Sequence, residues 1–436
     1  NPGMAEINGY YVGRPKNWQD FYEVAEQQCA ELIGDPENPH ALDPDYGHIW
    51  KAVCGLEFNE FGENMFEASM AVGYSGNIGV LMGRHMDGNI GYGSTGWGNA
   101  YLQTNGYYFY SFDPEDQRRD YACYWAGYGK TKDKNNKEIL AEKMNQSLLG
   151  LAFGKWSFWW TSDAYREHVL NLTSGWPSTG INWIMMRYSD VLLMFAEARY
   201  QLGKGADSQS SVAGISARQA LEQVRSRAFG AGSAKVSQYD SDFFTAIVNE
   251  RAWELGGEGI RKLDLVRWGL LDSKMEEMKM ALCDMLAGNK TVKCMDKTYA
   301  PSDLPRRLYY QYDKSGEFID WSSVNFYQDL DANPNPDKYY EYNLLATYRN
   351  QTVTNTNHRC VTDPASILLC GTGLRASYDY SAYLSTLPYG DFIRQVLLTM
   401  PHGNGVCNYR HVYSIYYQDI YRSQGHLQNS YGYENK

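Results

Sequence analysis

Ile184-Met185-Met186-Arg187-Tyr188-Ser189-Asp190-Val191-Leu192-Leu193-Met194-Phe195-Ala196-Glu197-Ala198-Arg199-Tyr200-Gln201-Leu202 is the stretch whose reading decides the fold. Val191, Leu192, Phe195, Ala198 and Leu202 form one apolar stripe of a 3.6-residue period, so the spacing predicts a helix over 185–202, ended by Gly203. A polar Gly/Ser-rich gap over 203–214 follows. Ala217, Ala220, Leu221, Val224 and Ala228 then predict a second helix from Ser216 to Phe229. Phe243, Phe244, Ile247, Val248 and Ala252 predict a third from Asp240 to Leu255. Helix, gap and helix of similar length read as an antiparallel pair, the unit of tetratricopeptide-like stacks, although the full repeat signature is absent.

Outward from this core the pattern weakens. Trp18, Phe21, Ala25, Cys29 and Leu32 share one helical face over 18–33, with Asn17 placed to cap, Asp20 in the first turn and Gly34 as the stop. Residues 35–48 are a polar, proline-bearing connection. Residues 64–72, between Gly62 and Gly73, favour a short strand. From Gly73 to Gly106 glycine is dense and regular structure is not expected; loops of that length are usually functional. Beyond about 300 the chain reads as irregular.

Composition bounds the function. At 436 residues the chain exceeds the roughly 250–300 at which a single core stops growing, so one large elaborated domain or two to three smaller ones are expected. Fifty-one acidic against 40 basic residues give a net charge of −11, and no basic run interrupts that balance, which disfavours nucleic acid. No apolar run reaches the roughly 18 residues of a membrane helix. Aromatics at 15%, with 37 Tyr and 12 Trp, exclude a disordered chain and supply rings with an apolar body and a polar handle. The chain opens Asn1-Pro2-Gly3, which reads as a mature form or a fragment. None of the eight cysteines forms C-x-x-C. Cys283/Cys294 and Cys360/Cys370 are the pairs nearest in sequence and the candidates for bridges, against the alternative of small buried hydrophobes.

Several motifs fall away. Gly91-Tyr92-Gly93-Ser94-Thr95-Gly96 matches G-x-G-x-x-G, but no buried strand precedes it and Trp97-Gly98 follows where a helix should open. Asp329, Asp331 and Asn333 imitate the start of an EF-hand loop, yet Pro334 takes the glycine position and Tyr340 the bidentate glutamate position. Those oxygens offer a casual calcium ion its ligands; otherwise no cofactor and no metal is expected. The eight histidines form no H-x-x-x-H, and G-x-S-x-G is absent. Glu250, Arg251, Glu254, Glu258, Arg261, Asp264 and Arg267 are read as a charge network pinning a helix to its neighbours, with Arg251, Arg261 and Arg267 placed to relieve the repulsion between Glu250 and Glu254.

The aromatics are the clearest chemical signal. Twelve rings lie between Tyr92 and Tyr128, and a second group runs from Trp156 to Trp183. Sugar rings present flat C–H faces that stack on such platforms, although peptides and nucleobases use them too. Tyr92 and Trp97, flanked by glycine, read as ligand contacts more readily than as core.

The stretch 184–202 resembles the Arg-Tyr-Ala-Glu-Val-Leu-Leu-Met-Tyr-Ala-Glu-Ala helix of the SusD/RagB family. Leu221-Glu222-Gln223-Val224-Arg225-Ser226-Arg227-Ala228 resembles its following helix, and residues 249–269 resemble its Glu-Arg-x-x-Glu-Leu…Glu-Gly-x-Arg-x-x-Asp-Leu-x-Arg-Trp. Gln428-Asn429-Ser430-Tyr431-Gly432-Tyr433 resembles its terminus, with weaker echoes at Trp97-Gly98 and Asp116-Gln117-Arg118-Arg119-Asp120. The resemblance implies a mainly α, SusD-like helical fold with tetratricopeptide-like helix pairs and a loop-rich ligand-binding part. It divides the chain into a helical scaffold (1–55), a loop-rich aromatic region (56–183), the family core (184–275) and an irregular C-terminal region (276–436) in which 300–424 reads as an insertion. It also implies a non-enzymatic glycan-binding lipoprotein on the outer membrane, facing the exterior, that delivers oligosaccharide to a SusC-like TonB-dependent transporter. The family's N-terminal portion, with its lipidated cysteine, would lie upstream of Asn1. Ser189-Asp190 replaces the usual Ala-Glu, and Gly256-Gly257 is expected to loosen its helix. Ligand residues vary across the family, so none transfers by motif. The stacking candidates are Trp97, Tyr92, Tyr101, Trp125, Trp159 and Trp160, with Arg84, Asp87 and Asn99 for hydroxyls. A peptide-capturing member, a glycoside hydrolase using a carboxylate pair and a scaffolding subunit are the alternatives.

Overall fold

In the computed structural model, the stretch 184–202 turns from strand to helix at Arg187, whose extended backbone (φ −122°, ψ 156°) precedes the first helical residue. The structure describes residues 5–7, 10–12, 15–86, 103–133, 135–148, 150–170, 178–239, 242–344 and 423. The chain begins with a hairpin, β1 (Ala5–Ile7) and β2 (Tyr10–Val12). The helices α1 (Trp18–Gly34) and α2 (Tyr46–Gly55) follow, then β3 (Asn64–Ala68) and short α3 (Ile78–Met82). Next come α4 (Gly106–Ser111), α5 (Arg119–Ala122), the hairpin β4 (Ala126–Lys132) and β5 (Glu138–Met144), and α6 (Asp163–Leu170). The central run is β6 (Trp183–Arg187), α7 (Tyr188–Gln201), α8 (Ala217–Phe229), α9 (Phe243–Leu255), α10 (Arg261–Arg267) and α11 (Leu271–Ala287). It closes with β7 (Val292–Cys294), β8 (Lys297–Tyr299), β9 (Arg307–Tyr312), β10 (Ile319–Asp320) and β11 (Tyr340–Asn343).

Helices α1, α7, α8 and α9 build one core around Leu192, Phe195, Leu221, Val224 and Ile247. Most of the predicted stripes of α7 and α8 land there, whereas that of α9 divides, Phe243 and Ile247 facing this core, Phe244 and Val248 packing with Leu265 and Trp268, and Ala252 entering another core. Ser216 caps α8 in a reciprocal box with Gln219. Two expectations fail on α1. Asn17 bonds the Asp20 side chain instead of capping backbone. Phe21 faces solvent at 62% exposure, and the helix docks instead through Cys29, Ala30 and polar partners, with Tyr22 donating to Glu197 and Arg199 donating to Glu26. The predicted helix start at 185 also fails, because β6 pairs with β3 and puts Met186 opposite Phe66. Helix α11 is not among those the spacing predicts. Its Ala281, Leu282 and Met285 are buried in a second core with the rings of α4 and β9 and with Trp125, just ahead of β4. The region beyond 300, expected to be irregular, holds a three-stranded antiparallel sheet in the order β10-β9-β11.

Buried charge ties these cores together. Glu254 accepts from Arg118, Arg187 and Arg227, and Glu250 from Arg118 and Arg225, all with side chains at most 5% exposed. Glu63 pairs with Arg187 and Arg227, and Glu258 with Arg187 and Lys155. The pinning role is as expected, but the cations beside Glu250 and Glu254 come from other segments. Arg251 pairs with Asp190 and Asp264, Arg267 with Glu197 and Asp264, and Arg261 donates to the Val248 carbonyl. Burial alone would raise the Glu254 carboxyl, but Arg227, Arg187 and Arg118 outweigh it and hold it well below the usual carboxylate range. The extended backbone at Arg187 is what delivers its guanidinium to this network.

Gly256 is the C-cap of α9 rather than a weak point within it. A Cβ there would fall 2.0 Å from the Tyr108 hydroxyl, which donates to the Ala252 carbonyl at 2.6 Å. Glycine lets Tyr108 reach the helix end. Cys29, Cys54, Cys123 and Cys294 are free, buried thiols, so the Cys283–Cys294 bridge does not form. Burial pushes the thiols of Cys29 and Cys54 up to about 12. Cys360 and Cys370 lie outside the described residues.

Candidate functional site

Antiparallel β4 and β5 set Tyr128 opposite Glu142 and orient the segment Tyr124-Trp125 just ahead of the hairpin. The loop 317–327 folds onto them. Glu142 accepts from the Ile319 amide at 3.0 Å, and its own amide donates to the Glu317 carbonyl at 2.7 Å. Tyr124 is the joint. Its hydroxyl donates to Glu142 and accepts from the Trp321 indole N–H at 3.0 Å. Burial is the main reason its phenol stays protonated far above neutral pH. The Arg84 guanidinium lies 4.0 Å over the Tyr124 ring and 5.3 Å from that of Trp160, with Glu142 and Ser157 as hydrogen-bond partners.

Beside this joint opens a cleft of about 490 Å³, lined by Tyr124, Trp125, Trp321, Phe326 and Tyr327, with Arg119, Asp120, Cys123 and the mostly polar run 322–325 at its edges. Its rings are held rigidly. Trp321 stacks on Phe326 at 6.4 Å and 14°, and Trp125 stacks on Phe326 at 5.5 Å and 30°. Trp321 and Tyr327 are half-buried, while Trp125 and Phe326 belong to the core beneath. Ser322 and Asn325 are exposed. Flat apolar faces bordered by hydroxyl, amide and carboxylate groups suit a ligand with apolar faces and polar edges.

A second cleft, of about 480 Å³, lies between α2 and β3 and carries Phe58, Met70 and Val72 with Glu57 and Glu67. Its one ring, Phe58, is 89% exposed and has no stacked partner among the described residues. The first cleft is therefore the better preorganised site.

The sequence candidates separate clearly. Trp125 lines the first cleft, but at 2% exposure it is floor rather than free platform. Arg84 supports the cleft from behind Tyr124. Trp160 lies against Arg84 and Tyr121, and Trp159 packs against Tyr128 and Phe318; neither lines the cleft. Tyr92, Trp97, Tyr101, Asp87 and Asn99 lie outside the described residues, as does the Gly91–Gly96 motif. Sequence reasoning missed Trp321 and Tyr327, which stand in a region where no helical period marks them. Asp120 was visible only as the end of the Asp116–Asp120 echo.

Two of the three residues suggested for calcium are otherwise engaged. Asp329 accepts from the Arg306 amide and guanidinium at 2.9 and 2.6 Å, and Asn333 accepts from the Asn335 amide. No group of three or more His, Cys, Asp or Glu among the described residues is placed to hold a metal ion.

A SusD family model matches residues 59–359, running into the stretch 300–424 that was expected to be an insertion. The SusD-like protein P25 of Formosa agariphila is 25% identical over 285 residues, covering 61% of this chain and 49% of that protein. A SusD homologue from Bacteroides thetaiotaomicron aligns with TM-score 0.45 and 22% identity over 62% of this chain and 52% of its own. Surface glycan-binding protein A from the same organism, in complex with laminarihexaose, aligns with TM-score 0.42 and 21% identity over 59% of this chain and 52% of its own. The chain thus spans about half the length of these relatives.

Proposed function

The chain belongs to the SusD family, and from that premise we propose that it binds glycan in the Tyr124–Trp321 cleft without cleaving it. The observation that carries this is the half-buried Trp321 ring, stacked on the buried Phe326 and bordered by Asp120, Ser322 and Asn325. Sugar C–H faces lie on the rings, and sugar hydroxyls bond to the border.

The carboxylate inventory supports binding over hydrolysis. Glycosidases set two carboxyl groups roughly 5–9.5 Å apart across the scissile bond. Asp120 is the one carboxylate among the described residues that line the cleft, and Glu142 behind it is occupied by Tyr124, Arg84 and the Ile319 amide. Family membership supports the wider role: an outer-membrane lipoprotein on the cell surface, passing oligosaccharide to a SusC-like TonB-dependent transporter. No helix among the described residues is long and apolar enough to cross a membrane. The relative bound to laminarihexaose supports glycan as the ligand class.

The test is electrophoresis through native gels containing single soluble polysaccharides, with a parallel assay for reducing ends. Retardation by a glycan with no new reducing ends is expected. Release of products would show an enzyme. Binding to a mixed peptide pool and to no polysaccharide would favour a peptide-capturing member.

A further inference from the structure

Resting on the glycan reading above, we propose that the cleft selects glycans free of acidic substituents, and that Asp120 is the residue that sets this selectivity. The two charged groups among the described residues lining the cleft are Arg119 and Asp120, and they are placed unequally. Arg119 is spent: its Nε and Nη2 donate to the two Asp120 oxygens at 2.8 and 3.2 Å, and its Nη1 donates to the Tyr327 hydroxyl at 2.8 Å. Its guanidinium also lies 5.1 Å from the centre of the Phe109 ring, and its side chain is only 12% exposed. Asp120 is 63% exposed. The cation is tucked beneath and the anion faces the ligand.

The next charged pair back offers a ligand no free cation either. Arg84 behind Tyr124 is paired with Glu142 and hydrogen-bonded to Ser157, so it is not presented to a ligand anion. A sugar carboxylate or sulfate entering the cleft therefore meets an exposed negative group at its border, and at low salt the repulsion reaches across the cleft. A neutral sugar instead donates hydroxyls to Asp120, which as a carboxylate is an acceptor only, in charge-assisted bonds. Arg119 holds that carboxylate flat and oriented for them. At longer range the net charge of −11 acts in the same direction.

The experiment uses the full chain and a matched set of glycans. Neutral polysaccharides (laminarin, xyloglucan, galactomannan, soluble starch) are titrated first. For each one that binds, carboxymethylated, sulfated and uncharged hydroxyethylated forms of the same backbone follow. The expected result is at least tenfold weaker binding of both anionic forms than of the hydroxyethylated form at 50 mM salt. The gap should narrow at 500 mM salt. Asp120→Asn should weaken the neutral ligand and shrink the anionic penalty to under threefold. Equal or tighter binding of the anionic forms overturns the selectivity, as does a chain that binds naturally acidic polysaccharides and no neutral one. An unchanged penalty in Asp120→Asn overturns the role of Asp120. Binding of neither class overturns the glycan reading itself, an outcome distinct from lost selectivity.

Discussion

The indole N–H of Trp321 donates to the hydroxyl of Tyr124 at 3.0 Å, across 197 residues of sequence. Through this bond the loop 317–327 and the start of the β4–β5 hairpin form one wall. The Tyr124 hydroxyl spends its own proton on Glu142, and Glu142 in turn takes the Ile319 amide, so the first part of the loop is held at two points.

Tyr124→Phe keeps the ring and removes the joint. We expect a stability loss of about 1.5–3 kcal/mol, the range for hydrogen bonds to charged groups. Glycan affinity should fall by about 0.5–1.5 kcal/mol as Trp321 loses its orientation. Chemical denaturation and titration of the same sample check both.

Glu254→Gln leaves Arg118, Arg187 and Arg227 with one carboxylate fewer. Breaking a buried pair costs about 3–5 kcal/mol, and that loss is expected in the urea midpoint. The pH dependence follows from the lowered carboxyl. Its contribution is fully present above the unfolded value of 4.5 and is lost as pH falls from there through the folded value. The wild-type chain should therefore destabilise progressively below pH 4.5, and the variant less steeply.

His48 sets a slope on the other side. The hydrogen bond to the buried Asp43 carboxylate, at 2.6 Å, raises its pKa above the ordinary 6.5, while partial burial opposes the rise and Glu60 and Asp45 add to it. A folded value above the unfolded one gives stability that is full below pH 6.5 and lost as pH rises through the folded value. Denaturation midpoints should fall over that interval in the wild type, and the fall should vanish in His48→Gln.

Gly256→Ala drives a methyl into the Tyr108 hydroxyl, 2.0 Å away. Overpacking of this kind costs about 1–3 kcal/mol. The cost should be smaller in a Tyr108→Phe background, which a double-mutant cycle of thermal midpoints would read directly.

What the sequence revealed follows from the kind of physics involved. Helices α7, α8 and α9 were legible because Phe195, Leu221 and Ile247 repeat on one face, and periodicity is a local signal. The same stretch hid β6, because Arg187 is extended to pair with Asn64 of β3 and to meet Glu63, Glu254 and Glu258, and these lie far off in sequence. The charge network was visible as a cluster, yet its true cations Arg118, Arg225 and Arg227 came from elements that no spacing rule joins to Glu250 or Glu254. In the cleft, Trp125 was legible as an aromatic but not as floor, since burial depends on Phe326 arriving from 201 residues further on, the difference between positions 125 and 326. Trp321 and Tyr327 carried no signal, because a ring set in a loop by one tertiary hydrogen bond looks like any other ring in a tyrosine-rich chain.

The central claim, glycan held on the Trp321 wall without cleavage, is tested most directly by isothermal titration of wild type and Trp321→Ala with a polysaccharide that retards the wild type, followed by product analysis. The account predicts intact glycan in both samples and an affinity loss of about 1–3 kcal/mol in the variant, taking base stacking on aromatic side chains as the guide. Unchanged affinity in a folded Trp321→Ala chain, or shortened glycan in either sample, would contradict it.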